Sequence, residues 1–163
     1  MSHAALEAFS TITEGFEVFA EPAVLAGTPV MTLEGDLPVE FLMPGDRVLT
    51  RAGMRRIASI EVTRVQNARV VHIAPDSLGV GRPTDEITVS PHQGVNLRDW
   101  RAKALYNRAE AVVPALRLCD GEHVRADILA EARFITLRFA GPEVIYAGGV
   151  ELMCPPAEAA VAA

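Results

Sequence analysis

Few side chains in this chain could do nucleophilic or acid–base chemistry, so their spacing carries weight. The densest group is the SPHQ stretch, Ser90 to Gln93, where a hydroxyl stands two residues from an imidazole. Nucleophile and base must lie within hydrogen-bond reach of each other. Ser90 and His92 sit on a Ser-Pro step, which initiates turns, and cannot easily face one another there. No G-x-S-x-G elbow occurs elsewhere, so a Ser/His/acid hydrolase finds little support. Cys119 and His123 form C-x-x-x-H, a spacing that metals accept, but structural zinc takes four ligands. The other candidates, His3, His72 and Cys154, are scattered, so no metal and no cofactor is expected. Asp120-Gly121 beside Cys119 reads as a turn, and Asp36, Glu40 and Asp46 as solvated turn acids.

These residues must be positioned by strands. Half of the 163 residues are apolar, 6% are aromatic, and there are 12 glycines and 11 prolines. That is the balance of one globular domain with many turns. Short runs rich in β-branched residues follow one another, bounded by Gly, Pro, Asp or Asn: TPVMTL, DRVLT, RIASIEVTRV, ARVVHIA, EITVS, AVVPAL, RFITLRF and EVIYAGGV. Alternation in RIASIEVTRV marks a half-buried strand. Across the runs, Val48, Ile60, Val62, Val89, Ile135, Leu137 and Val144 are expected to point inward. In MPGD, Pro44 and Gly45 suit the centre of a type II turn. No Gly-rich phosphate loop and no strand–helix alternation occurs, so the class is mostly β, with a short helical segment near 99–118. Within it, Trp100, Leu105 and Tyr106 are the expected anchors of a charged surface excursion.

Composition limits function further. The 21 acidic and 15 basic residues give a net charge of −6, which does not attract nucleic acid. No run is long and apolar enough for a membrane span. The first residues lack a basic n-region, so no Sec-type leader is read and a cytoplasmic location is expected. Two cysteines are too few for a disulfide scaffold.

Four blocks, in order, resemble the Hint (Hedgehog/intein-like) domain family, and its bacterial branch in particular. AGTPVMTLEGDLPVEFLMPGDRVLTRAG is similar to the opening G-T-x-V strand, G-x-x-P-V-E turn and L-x-P-G-D-x-V strand. VVHIAPDSLGVGRPTDEITVSPHQGV resembles the middle block that closes on S-P-x-H. AVVPALRLCDG resembles the V-P-A-x-x-L-x-D-G that follows, and FITLRFAGPEVIYAGGV the last block. The resemblance implies a horseshoe of short β-strands spanning residues 23–152, with an N-terminal arm (1–22) and a flexible C-terminal tail (153–163).

It also implies a site. Active members attack the peptide bond just upstream of a first-position Cys or Ser, helped by a Thr/His pair in the middle block and a late His. Counted back from Thr28, the first position is Ala23, which has no nucleophile. The middle-block hydroxyl falls on Ser90. The His position falls on Gln93, with His92 one place early, and a one-residue offset usually sends a side chain to the opposite face. The late His falls on Pro142. Ala23, Thr28, Gln93 and Pro142 are thus expected as vestigial cleft positions, with Ser90 and His92 as the remaining candidates for catalysis. The expected function is a Hint-type domain inactive in self-cleavage that binds a peptide or protein, for instance by strand addition. The alternative is residual self-processing, in which Thr28 or Ser90 would have to attack although neither lies at the junction. Oligomeric state is not legible.

Overall fold

The structure is a computed structural model describing residues 19–157. Residues 1–18 of the expected arm and 158–163 of the expected tail lie outside the described residues. Among the described residues, twelve strands, one α-helix and two single 3-10 turns make a mostly β fold, as expected. In order they are β1 (Val24–Leu25), β2 (Pro29–Thr32), β3 (Gly35–Pro38), a 3-10 turn (Val39–Phe41), β4 (Arg47–Thr50), β5 (Gly53–Arg56), β6 (Ser59–Ile73), β7 (Ile87–Val89), β8 (Gly94–Leu97), α1 (Trp100–Tyr106), β9 (Ala111–Pro114), a 3-10 turn (Ala115–Leu118), β10 (Val124–Arg138), β11 (Glu143–Ala147) and β12 (Val150–Cys154).

Two antiparallel systems share the core. One is a closed ring in the order β1-β10-β6-β7; the other is a sheet in the order β3-β2-β4-β11-β12-β8-β9, with β5 added on β4. β6 and β10, 15 residues each, pair along almost their whole length, from Val124↔Ile73 to Arg138↔Ser59. RIASIEVTRV and ARVVHIA are therefore halves of one strand. The break expected between them is only a bend, where Asn67 takes φ +50°, a conformation that Asn tolerates better than most residues.

Turn chemistry decides several joints. Gly45 has φ +91° and Asp46 N–H donates to Met43 O at 3.0 Å, closing the MPGD turn as expected. Between β11 and β12 the two-residue loop Gly148-Gly149 has φ +61° and +89°. Both signs are those of a type I′ hairpin, which pairs Ala147 with Val150. Strand β12 runs to Cys154, and Pro156 then bridges Phe139. Residues 153–157 thus pair with the body.

Val48, Val89, Ile135 and Leu137 are buried, as their runs imply. Ile60 and Val144 are half-buried, with Ile145 taking the inward place beside Val144. Val62 is a correction: it is 51% exposed. Its partner Ile135 is covered by β1 on the far side, whereas β6 at Val62 has β10 alone, because β7 joins β6 only at residues 71–73. A helix stands within 99–118 as expected, but its anchors are a second correction. Asp99 caps α1 by accepting from Arg101 N–H at 2.9 Å, but the residue that seats it is Ala102, fully buried. Trp100 and Leu105 are exposed, and the Arg101 guanidinium lies 5.0 Å from the centre of the Trp100 ring. No helix among the described residues is long and apolar enough to cross a membrane.

Candidate functional site at the Pro22–Ala23 junction

Strand β1 is only two residues long, yet it is wedged into the ring. Val24 pairs with Ile135 on one side and Val89 on the other. Just before it, Phe19 stacks on the buried Phe134, ring centroids 4.6 Å apart and planes 8° off parallel. Both sides of the chain entering β1 are therefore fixed, and so is the peptide bond between Pro22 and Ala23.

That bond is held at both ends. Thr136 O–H, on β10, donates to the Pro22 carbonyl at 2.7 Å. Ala23 N–H donates to Ser90 Oγ at 3.1 Å, and Ser90 O–H donates to the Glu21 carbonyl at 2.7 Å. Ser90 N–H completes the clasp by donating to the Ala23 carbonyl at 2.9 Å. Chemically, the Thr136 hydroxyl polarises the carbonyl and sits where negative charge would grow on its oxygen during attack. Ser90 fixes the nitrogen that would depart. Ser90 is completely buried, so Ser90→Ala is expected to strand polar groups and cost about 1–3 kcal/mol in urea unfolding, with Ser90→Thr closer to wild type.

The SPHQ turn sorts its own side chains. Gln93 N–H donates to Ser90 O at 3.1 Å, so residues 90–93 form a β-turn with Pro91 at its second position, where its fixed φ belongs. His92 is left at the exposed tip, while Gln93 turns inward. Gln93 spends its amide hydrogens on the carbonyls of Met153, at 2.8 Å, and Gly94, at 3.0 Å. It lines a small cavity together with Pro22, Thr136, Leu137 and Cys154. The free volume there, about 10 Å³, is what one water needs.

Of the residues singled out in the sequence, Ala23, Ser90 and Gln93 therefore meet at the junction. His92 does not reach it. Thr28 is buried, but its hydroxyl donates to the Leu25 carbonyl at 2.7 Å and braces the turn between β1 and β2. Pro142 stands exposed in the turn between β10 and β11, outside the cavity lining. The Cys119–His123 pair does not converge: Cys119 is buried and its burial pushes the thiol up to about 11, whereas His123 is exposed.

Two residues of the site escaped the sequence reading, Thr136 and Cys154. Thr136 is the one hydroxyl within the apolar run FITLRF, and that oddity was its only signal. The Cys154 thiol lines the cavity, but burial, seconded by Glu143, pushes its pKa up to about 12. At pH 7 the thiol therefore stays protonated, whereas the thiolate is the nucleophile. At Ala23 itself, 1% exposed, there is only a methyl group.

The fold of this chain recurs in solved structures. The chain is similar to the bacterial intein-like domain from Clostridium thermocellum, at 14% identity and TM-score 0.62, over 83% of this chain and 99% of that one. It is also similar to the gp41-1 intein, at 16% identity and TM-score 0.55, over 83% and 98%. At such identities the likeness is one of fold. No curated protein is similar enough to match. The sequence pattern of the Hint domain matches residues 22–153, which starts at the residue whose carbonyl Thr136 holds and ends beside Cys154. With both the fold and most of the length in agreement, this chain belongs to the Hint domain family.

Proposed function

We propose that this Hint domain keeps its upstream peptide bond intact and serves as a binding or regulatory module. The observation that carries the reading is the junction itself. The carbonyl and the nitrogen of Pro22–Ala23 are gripped as a reacting amide would be, yet residue 23 offers no nucleophile and residue 93 no group that titrates near neutral pH. The grip then acts as an anchor that ties the chain at residue 22 to β7 and β10. The cavity is too small for a peptide side chain, so partners would meet the molecule elsewhere. Strands β3, β5 and β9 each pair on one side only among the described residues, and their free edges suit strand addition.

Residual self-cleavage is the second reading. It is favoured by the donor on the Pro22 carbonyl and by the Cys154 thiol in the same cavity. Intact mass separates the two. Purified protein held for days at pH 7 with dithiothreitol or hydroxylamine is expected to keep its full mass. Loss of residues 1–22 would establish self-processing.

A further inference from the structure

His72 stands apart from the other chemically capable residues in the sequence, but it has company in the fold. Strand β6 runs between β10 and β7, and His72 pairs with Thr88 on one side and Arg125 on the other. The flanking residues Val71, Ile73, Ile87 and Val89 are all buried, so His72 and Thr88 share the opposite face. On that face His72 Nδ1 lies 2.7 Å from Thr88 Oγ1, and Nε2 lies 2.8 Å from Asp127 Oδ2. Asp127 stands two residues beyond Arg125 on β10, a diagonal place that an imidazole can reach. Arg125 itself pairs with Glu86. A hydroxyl, an imidazole and a carboxylate are thus joined across three strands, although His72 lies 16 and 55 residues from its partners in sequence.

The chain of hydrogen bonds has a direction. His72, and after it the Ile128 N–H, hydrogen-bond the Asp127 carboxyl and hold it below its ordinary value. It is therefore ionised near neutral pH and can only accept, so Nε2 carries the ring hydrogen. In the neutral ring Nδ1 is then the acceptor, and the Thr88 O–H donates to it. A hydroxyl that donates to an imidazole whose far nitrogen is held by a carboxylate is an activated nucleophile. Such a set is recognised by geometry and roles, not by order in the chain.

We propose that Thr88 is an acyl-acceptor site, with His72 as its base and Asp127 as the residue that positions the imidazole. Thr88 Oγ1 attacks the carbonyl carbon of an ester while its proton passes to His72 Nδ1. The bond from that carbon to the leaving oxygen breaks, Nδ1 returns the proton to the departing alcohol, and an acyl-threonine remains. Asp127 stays a carboxylate throughout and holds the transient imidazolium through Nε2–H. Asp127 is half exposed and Thr88 half-buried, so the set is met from the outside of the sheet, which suits a small ester. The relay supplies a nucleophile and its base, and reactivity on the acyl side has to come from a good leaving group. The site uses none of the residues at the Pro22–Ala23 junction and is independent of the fate of that bond.

The test is incubation of the full chain with p-nitrophenyl acetate near neutral pH. Release of p-nitrophenol is followed by absorbance, and the acetyl group is placed by peptide mass spectrometry. Acetylation of Thr88 is expected, against a low amine background because the chain holds a single lysine, Lys103. His72→Gln should slow acetylation of Thr88 by about 10²–10⁴-fold, the worth of a positioned base. Thr88→Ser should keep the acetyl group at residue 88, and Thr88→Val should lose it. Asp127→Asn should slow the reaction and Asp127→Glu should restore most of the rate, a rescue that a merely structural role would not give. Circular dichroism confirms that each variant is folded, and if His72→Gln is not, the two Asp127 variants read the same relay. Acetyl groups confined to Lys103 and the amino terminus would overturn the proposal. So would a rate at Thr88 that either His72→Gln or Asp127→Asn leaves unchanged.

Discussion

Ala23→Cys combined with Gln93→His is expected to release residues 1–22 when thiol is added, and to do so about 10²–10⁴-fold faster than Ala23→Cys alone. The reasoning follows the atoms. A thiol on residue 23 attacks the Pro22 carbonyl carbon, the C–N bond breaks as the C–S bond forms, and the nitrogen leaves with a proton. Dithiothreitol or hydroxylamine then takes the acyl group and frees the arm. The structure already holds two parts of this step, Thr136 on the oxygen and Ser90 at the nitrogen. It lacks the sulfur and a group that can deliver the proton near neutral pH. Gln93 occupies an inward place at the cavity, so an imidazole there points toward the junction, whereas His92 at the turn tip does not. Adding Thr136→Val to the double variant should lower the rate again, by about 10²–10³, because one oxyanion donor is worth that much. Release is followed by mass spectrometry, with circular dichroism to confirm that each variant is folded. Rapid release by Ala23→Cys alone would show that a group other than residue 93 moves the proton. No release from a folded double variant would mean that the clasp is purely structural.

How much of this site could be read beforehand depended on distance along the chain. The place of Gln93 was legible through the resemblance, which puts the His position of the middle block on it and leaves His92 one residue early. Ala23 was legible because it stands a fixed five residues before Thr28 in a continuous block. Thr136 was not. It lies 114 residues from the carbonyl that it holds, and no local period encodes a contact of that range. Cys154 was hidden for a related reason, since the last run read as a strand, EVIYAGGV, stops at Val150 and β12 carries on to Cys154. Pro142 shows the opposite error: a position inferred by counting through the β10–β11 turn, where a small change in turn geometry carries the residue away from the cavity. The fold obeyed the same rule. The MPGD turn was plain from its Pro and Gly, whereas EVIYAGGV, read as one run, folds back at Gly148-Gly149 into β11 and β12. The union of two runs into β6 was not plain either, because the 15-residue partner that straightens it is remote in sequence.

Leu137→Ala is expected to destabilise the chain by about 2–5 kcal/mol, while Val62→Ala changes stability by less than about 0.5 kcal/mol. The two residues belong to the same ladder, on facing strands, and both are aliphatic within alternating runs. Pattern alone ranks them equally. Their surroundings do not. Leu137 is 3% exposed, belongs to the main core cluster and borders the cavity at Gln93, so truncation enlarges an existing void rather than opening one that neighbours can fill. Collapse is resisted because β10 is held by β1 at residues 134–135 and by β6 along its length. That places the cost toward the upper end of the range. Val62 meets solvent over half its surface, on a stretch of β6 with one neighbouring strand, so little apolar area returns to water when it is shortened. Urea melts of the two variants under one buffer decide the matter. Near-equal midpoints would mean that the ring β1-β10-β6-β7 is covered on the face assigned here to solvent. The residues missing from the sequence-based core would then have to be sought among the exposed positions of β6.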